Sequence, residues 1–265
     1  MTVVESVLVG AMQGVTEFLP VSSSAHLIAV PWLFKVDAAN VDKLDYDVMV
    51  HFGTAFALLS VYAGKIVYRC RDDVREMLSG SFSDSFILKI ALGTLPAVVF
   101  GLLFKGPIEY YLRTPLVSVF SLVAVSLLML FAERVHLGER NVSYAVALAI
   151  GVAQAVALIP GVSRSGITIT AGILLGLRRR EAVDFAFLLS IPVVFGISLL
   201  EIKHVPLMEG DESMVFVVGT FSAFIAGLAS LTFLIHYLRN HTLDVFAYYR
   251  IALAVLIMVF IVLRA

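Results

Sequence analysis

Six apolar stretches, each about as long as a bilayer core is thick, set the first limit on what this 265-residue chain can fold into. They run roughly from Asp47 to Gly64, Phe86 to Phe104, Pro115 to Ala132, Ala182 to Leu200, Met214 to Ile235 and Val245 to Leu263. A helix needs about 20 such residues to cross the hydrocarbon core, whereas a barrel strand needs about ten in alternating pattern. These stretches are of helical length and do not alternate, so they predict an all-α, polytopic membrane bundle. Composition excludes the other classes. Hydrophobic residues make up 60% of the chain and charged residues 15%, against about a half and a quarter in soluble domains. The formal net charge of -1 offers no basic field for nucleic acid. A single cysteine, Cys70, excludes an intramolecular disulfide and a multi-thiolate metal site. The N-terminus does not read as a signal peptide, since no Lys or Arg precedes the first apolar stretch and Glu5 lies within it.

Two further apolar regions are interrupted. The first, about 3–34, is broken by Glu17-Phe-Leu-Pro-Val-Ser-Ser-Ser-Ala-His26; the second, about 142–177, is broken by Pro160-Gly-Val-Ser-Arg-Ser-Gly166. Irregular backbone at membrane depth is tolerated only where protein or a water-filled cavity surrounds it. Each region is therefore expected to be a re-entrant pair of half-helices; a single kinked span is the alternative. Returning each hairpin to its starting side gives one face ten basic residues: Lys65, Arg69, Arg71, Arg75, Arg134, Arg140, Arg178, Arg179, Arg180 and Arg239. The other face receives six: Lys35, Lys43, Lys105, Arg113, Lys203 and Arg264. Lys89, Arg164 and Arg250 fall inside spans or hairpins and are not counted. The richer face is expected to be cytoplasmic. The other face also carries the acidic clusters Asp37 to Asp47 and Glu209 to Glu212.

The two breaks are related. An offset of 141 aligns Gly10 with Gly151, Gln13 with Gln154, Ser22 with Ser163 and Ser24 with Ser165 without a gap. A weaker echo joins Phe56-Ala-Leu-Leu-Ser60 to Phe185-Ala-Phe-Leu-Leu-Ser190. The chain is thus expected to be one membrane domain built as an inverted repeat, 1–141 and 142–265. Such repeats place a site near the midplane, where half-helix N-termini meet. Those N-termini offer unpaired N–H groups and a positive dipole end, which suits an anion.

The candidate site residues lie in the breaks. Arg164, between Ser163 and Ser165 and just before Gly166, is suited to a phosphate or carboxylate, and N–H groups from Ser163 to Ile167 would complete a cradle. A structural ion pair with Glu17 is its alternative reading. Gln13 and Glu17, four apart, share a helix face. Glu17 can act as a base or hold a divalent cation, and His26 can shuttle a proton. Ser23 or Ser24 is a candidate nucleophile or phosphate donor, and Ser22 is expected to cap a helix. Thr168 joins the binding set. His51, near a span end, reads as a packed or interfacial histidine.

Gln13-Gly-Val-Thr-Glu17-Phe-Leu-Pro-Val-Ser-Ser-Ser-Ala-His26 resembles the signature of the undecaprenyl-diphosphate phosphatase family of bacitracin-resistance type. Pro160-Gly-Val-Ser-Arg-Ser-Gly-Ile-Thr168 is similar to its second signature, and Glu181 to Pro192 is also family-like. The resemblance implies a phosphatase of the bacterial cytoplasmic membrane, with two re-entrant hairpins in an inverted repeat. Its site opens to the outer face, and a divalent cation, Mg or Ca, is required. It implies undecaprenyl diphosphate as substrate, and undecaprenyl phosphate returned to the carrier cycle for wall polymers. It puts the essential residues on Glu17, Ser23, His26 and Arg164. Gln13 stands where many members carry a second glutamate, Ala25 where glycine is common, and Ser24 where threonine is common. Ala25 would then tighten the break. Water attack in place of a serine nucleophile stays open, as do a lipid transporter and a lipid-head binding protein without catalysis. Gly219, Ala223 and Gly227 offer a small-residue packing face for a homodimer.

Overall fold

The computed structural model describes residues 2–34, 44–78, 84–135, 138–201 and 211–264. These residues form ten helices: α1 (Val3–Phe18), α2 (Ser23–Phe34), α3 (Leu44–Leu78), α4 (Phe86–Leu112), α5 (Pro115–Arg134), α6 (Tyr144–Val156), α7 (Arg164–Leu174), α8 (Arg179–Glu201), α9 (Asp211–Tyr237) and α10 (Asp244–Arg264). Among the described residues there is no strand, and five helical stretches are long and apolar enough to cross a membrane: Val50–Glu76, Phe86–Phe104, Pro115–Arg134, Ser213–Tyr237 and Asp244–Arg264. They account for five of the six expected spans. The sixth falls on α8, continuous over 23 residues, whose first six include Arg179, Arg180, Glu181 and Asp184. The expected loop charges at 35–43 and 202–210 lie outside the described residues.

Both interrupted regions are pairs of short helices. α1 has 16 residues, α2 12, α6 13 and α7 11, each short of the about 20 needed to cross. Proline starts the first break. Leu19, ahead of Pro20, takes φ -63° and ψ 140°, the extended conformation that the proline ring imposes on its predecessor. The second break carries Pro160 and Gly161, the latter at φ +90°. Its ends meet: the Arg140 N–H donates to the Gly176 carbonyl at 2.9 Å. The chain therefore leaves the α6–α7 pair beside the point where it entered.

The two sequence halves interlock rather than stand side by side. α1 packs along α9, and α6 packs along α4. Glycine permits both approaches: a Cβ on Gly10 would lie 2.4 Å from the Gly219 carbonyl oxygen, and one on Gly151 would lie 2.2 Å from that of Gly93. Gly10 and Gly151 are the residues that the 141 offset aligns. The face of Gly219, Ala223 and Gly227, expected to serve a second copy, is thus occupied within the chain by α1, α3 and Phe18. α5 pairs with α10. This arrangement encloses α7 and the two breaks, with Ser165, Thr168 and Arg250 all buried.

Candidate active site

The site begins with a backbone turn built twice. Ser22 has φ 74° and Ser163 has φ 71°, the only non-glycine residues with positive φ among those described. A β-carbon makes this conformation costly, by about 1 kcal/mol or more, and it persists only when the surroundings hold it. Here the serine hydroxyls do part of that work. Ser22 Oγ accepts from the Ala25 N–H at 3.3 Å, and Ser163 Oγ accepts from the Gly166 N–H at 3.2 Å. Each serine caps the half-helix that follows. Each also meets the hydroxyl two residues on, Ser22 with Ser24 at 3.1 Å and Ser163 with Ser165 at 3.3 Å. Ala25 does not tighten the break: it is helical, its N–H serves the cap, and the positive φ falls on Ser22.

The second serines tie the breaks together. Ser24 Oγ accepts from the Gly161 N–H at 3.1 Å, and Ser165 Oγ donates to the Leu19 carbonyl at 3.3 Å. The N-termini of α2 and α7 are thereby fixed relative to one another. First-turn N–H groups have no partner within their own helix, so the junction presents donors and positive dipole ends.

Around it stand the candidate site side chains. The Glu17 side chain is only 8% exposed. Its Oε2 accepts from Gln13 Nε2 at 3.0 Å and from Ser23 Oγ at 2.9 Å. Arg164 Nη2 lies 3.7 Å from Glu17 Oε1. This is a loose pair, and Arg164 Nη1 is buried with no hydrogen-bond partner among the described residues, so the guanidinium is not consumed by the carboxylate. Glu17, Arg164, Ser165 and Thr168 line a narrow cleft together with Leu58 and Phe187. Thr168 turns its hydroxyl back to the Arg164 carbonyl at 2.7 Å, steadying the first turn of α7. Gly166 lets Ser163 approach, since a Cβ there would sit 3.2 Å from that of Ser163.

His26 is placed differently from Glu17. Its Nδ1 is 2.7 Å from the Ser22 carbonyl and its Nε2 is 2.8 Å from Tyr249 Oη. Both ring nitrogens are engaged, neither with Ser23. The residue within proton-transfer distance of the Ser23 hydroxyl is Glu17.

Three contributors were not anticipated. His51 approaches Gln13, Nε2 to Nε2, at 3.4 Å. Tyr249 holds His26. Arg250, set aside as a charge within a span, is wholly buried between the breaks. Its signal was present, because an ionisable residue inside an apolar run is costly and usually functional.

A divalent cation fits this donor set in a limited form. Among the described residues no group of three His, Cys, Asp or Glu side chains could enclose one. Among the described residues Glu17 is the one carboxylate lining the cleft, and the neighbouring Gln13 Oε1 is buried without a hydrogen-bond partner. Mg²⁺ is commonly held by one or two carboxylates, with water and substrate phosphates filling the rest. Glu17 and Gln13 suit that arrangement and not an all-protein cage.

Residues 6–256 match the family described as bacitracin resistance protein BacA. The chain belongs to this family. Full-length relatives agree. It is 40% identical to the undecaprenyl-diphosphatase of Thermodesulfovibrio yellowstonii over 96% of this chain and 95% of that protein. It is 38% identical to that of Moorella thermoacetica over the whole of both chains. It is 40% identical to that of Rubrobacter xylanophilus over 96% of each. The two stretches that resemble signatures of the undecaprenyl-diphosphate phosphatase family, Gln13 to His26 and Pro160 to Thr168, form the junction described above.

Proposed function

We propose that this chain is a membrane phosphatase that hydrolyses undecaprenyl diphosphate to undecaprenyl phosphate and phosphate, returning the lipid carrier to cell-wall polymer synthesis. The observation that carries the proposal is the Ser23 hydroxyl on the Glu17 carboxylate at 2.9 Å, with the half-free guanidinium of Arg164 beside it. A transporter needs the anion cradle but has no use for a nucleophile with its base.

In the proposed reaction the prenyl tail stays in lipid and the diphosphate head enters the cleft. Arg164 and the first N–H groups of α7 take the terminal phosphate oxygens, with Ser163, Ser165 and Gly166 shaping their cradle. Ser23 Oγ attacks the terminal phosphorus while Glu17 accepts its proton. The bond from that phosphorus to the bridging oxygen breaks, and undecaprenyl phosphate leaves. Glu17 passes that proton to the departing undecaprenyl phosphate, then takes one from the water that attacks the phosphoserine and returns it to Ser23 Oγ as phosphate is released. Direct attack by water is the rival course, with Ser23 binding phosphate. Most of the acceleration comes from positioning and charge stabilisation, as is general for phosphoryl transfer. A divalent cation at Glu17 and Gln13 would neutralise charge on the transferring phosphoryl group. His26 orients the first break.

The proposal includes a setting. The α1–α2 and α6–α7 pairs are re-entrant hairpins of an inverted repeat, 1–141 and 142–265, among six spans in the bacterial cytoplasmic membrane. The meeting of Arg140 with Gly176 supports this for the second pair. The cleft opens to the outer face. One chain supplies every residue of the site, so a homodimer would add nothing to it. The deciding experiment is phosphate release from a prenyl diphosphate by purified protein in detergent, with and without a chelator and with Arg164→Ala as control. Chelator-sensitive release lost in the variant is expected. Lipid movement by folded protein that releases no phosphate would replace this reading with transport.

A further inference from the structure

Among the described residues, the largest fully buried side chain lies outside both signature-like stretches. Arg250, on α10, has 0% exposure, and none of the ion pairs formed by described residues involves it. A cation removed from water without a counter-charge is costly unless its donors are satisfied. Here carbonyl oxygens satisfy them. Arg250 Nη1 donates to the Pro20 carbonyl at 3.3 Å, and Nη2 donates to those of Gly161 at 3.0 Å and Val162 at 3.1 Å. Nε donates to Ser126 Oγ on α5 at 3.2 Å.

These carbonyls are not arbitrary. Pro20 lies in the first break just ahead of Ser22, and Gly161 and Val162 lead directly into Ser163. A trans peptide directs its N–H opposite to its C=O, and no cis peptide is present among the described residues. Drawing the Val162 oxygen onto Arg250 therefore turns the Ser163 N–H away from it. One guanidinium thus holds the peptide that enters the Ser163 turn and, one residue further back, the Pro20–Val21 peptide ahead of the Ser22 turn, and through them the direction in which α7 and α2 present their first N–H groups.

The preceding residue acts on the same junction. Tyr249 Oη lies 2.8 Å from His26 Nε2, and the two rings are nearly parallel, at 8°. A carbonyl only accepts, so His26 Nδ1 carries the proton that meets the Ser22 oxygen at 2.7 Å. In the neutral ring Nε2 then accepts from the tyrosine hydroxyl, which fixes the tautomer.

We propose that Tyr249 and Arg250 are a pair of positioning residues through which α10 holds both breaks in register: Arg250 by their carbonyls, Tyr249 by the His26 ring. The proposal rests on the phosphatase reading of the site, but its cradle can be tested apart from turnover. The variants are Arg250→Lys, Tyr249→Phe and Ser126→Ala, compared by gel filtration, kcat and KM for a prenyl diphosphate, and binding of inorganic pyrophosphate by calorimetry. Lysine keeps the charge but cannot span carbonyls of both breaks. Arg250→Lys is expected to elute as wild type, lose kcat by about 10- to 100-fold and bind pyrophosphate more weakly. Tyr249→Phe should lower kcat with KM held within about twofold, and Ser126→Ala should follow Arg250→Lys at smaller amplitude. Wild-type kcat, KM and pyrophosphate affinity in folded Arg250→Lys and Tyr249→Phe would overturn the proposal. Should Arg250→Lys fail to fold, the same null result in Ser126→Ala and Tyr249→Phe overturns it. Wild-type protein that binds pyrophosphate but releases no phosphate defeats the phosphatase reading instead, and the affinities alone then decide this inference.

Discussion

The two breaks share a backbone and differ in chemistry. Ser22 and Ser163 take the same left-handed turn, cap the next helix in the same way, and meet a second serine at nearly equal distance. At the first helical residue the likeness ends: the offset of 141 sets Ser23 against Arg164. Likewise Glu17 corresponds to Leu158 and His26 to Ile167. The scaffold that presents helix N-termini is therefore duplicated, while hydroxyl and carboxylate stand on one copy and the guanidinium on the other. In the proposed reaction an anion held between them meets the hydroxyl from one side and a counter-charge from the other, which a symmetric pair of identical breaks would not provide.

That asymmetry is most directly broken at the paired positions Ser23 and Arg164. Removing the Ser23 hydroxyl, the Glu17 carboxylate or the Arg164 guanidinium with alanine is expected to lower the rate of phosphate release by about 10³-fold or more. Ser23→Ala should spare pyrophosphate binding, whereas Arg164→Ala should weaken it as well. Steady-state rates beside calorimetric affinities separate the two. Equal loss of affinity in both variants would mean that Ser23 binds phosphate rather than attacks it.

Part of this division is legible in the sequence. Proline and serine clusters inside apolar runs marked both breaks, because proline costs a helix its continuity and serine caps the restart. Arg164 and Glu17 stood out as charges in apolar surroundings. Arg250 carried the same mark, but its partners are main-chain carbonyls 230 and 89 residues away, and a carbonyl leaves no trace in side-chain sequence. Tyr249 was hidden for a like reason, since its partner is one histidine 223 residues distant. The small residues of α9 were readable as a packing face, but not their partner. Nothing in Gly219, Ala223 and Gly227 tells a helix of the same chain from one of another, and Gly10 and Gly14 turned out to fill the face.

The interlocked halves predict an effect of middle size. A Cβ at Gly151 would lie 2.2 Å from the Gly93 carbonyl oxygen, and at Gly64 nothing stands within 4 Å. Gly151→Ala should force α6 away from α4 at a cost of about 1–3 kcal/mol, while Gly64→Ala should be neutral or slightly stabilising. The thermal midpoint of purified protein in detergent reads both, and equal midpoints would contradict the close approach of α6 to α4.

The smallest effect tests whether the two turns are equivalent in energy as well as in shape. Alanine at Ser22 or Ser163 removes the cap and keeps the strain of positive φ. Glycine removes the cap but relieves the strain, since it lacks the β-carbon that makes the conformation costly. Each serine-to-alanine change should therefore lower stability by about 1 kcal/mol, and each serine-to-glycine change by only a few tenths. The order alanine below glycine should hold at both positions, because the same cap and nearly the same φ are present in both. Activity should not follow the same symmetry. Ser22 also presents its carbonyl to His26, whereas Ser163 leads straight into Arg164, so loosening the second turn moves the guanidinium itself. Ser163→Gly is accordingly expected to raise KM more than Ser22→Gly at similar stability. The reverse order would mean that the hydroxyl side of the site, and not the cation side, sets how tightly the diphosphate is held.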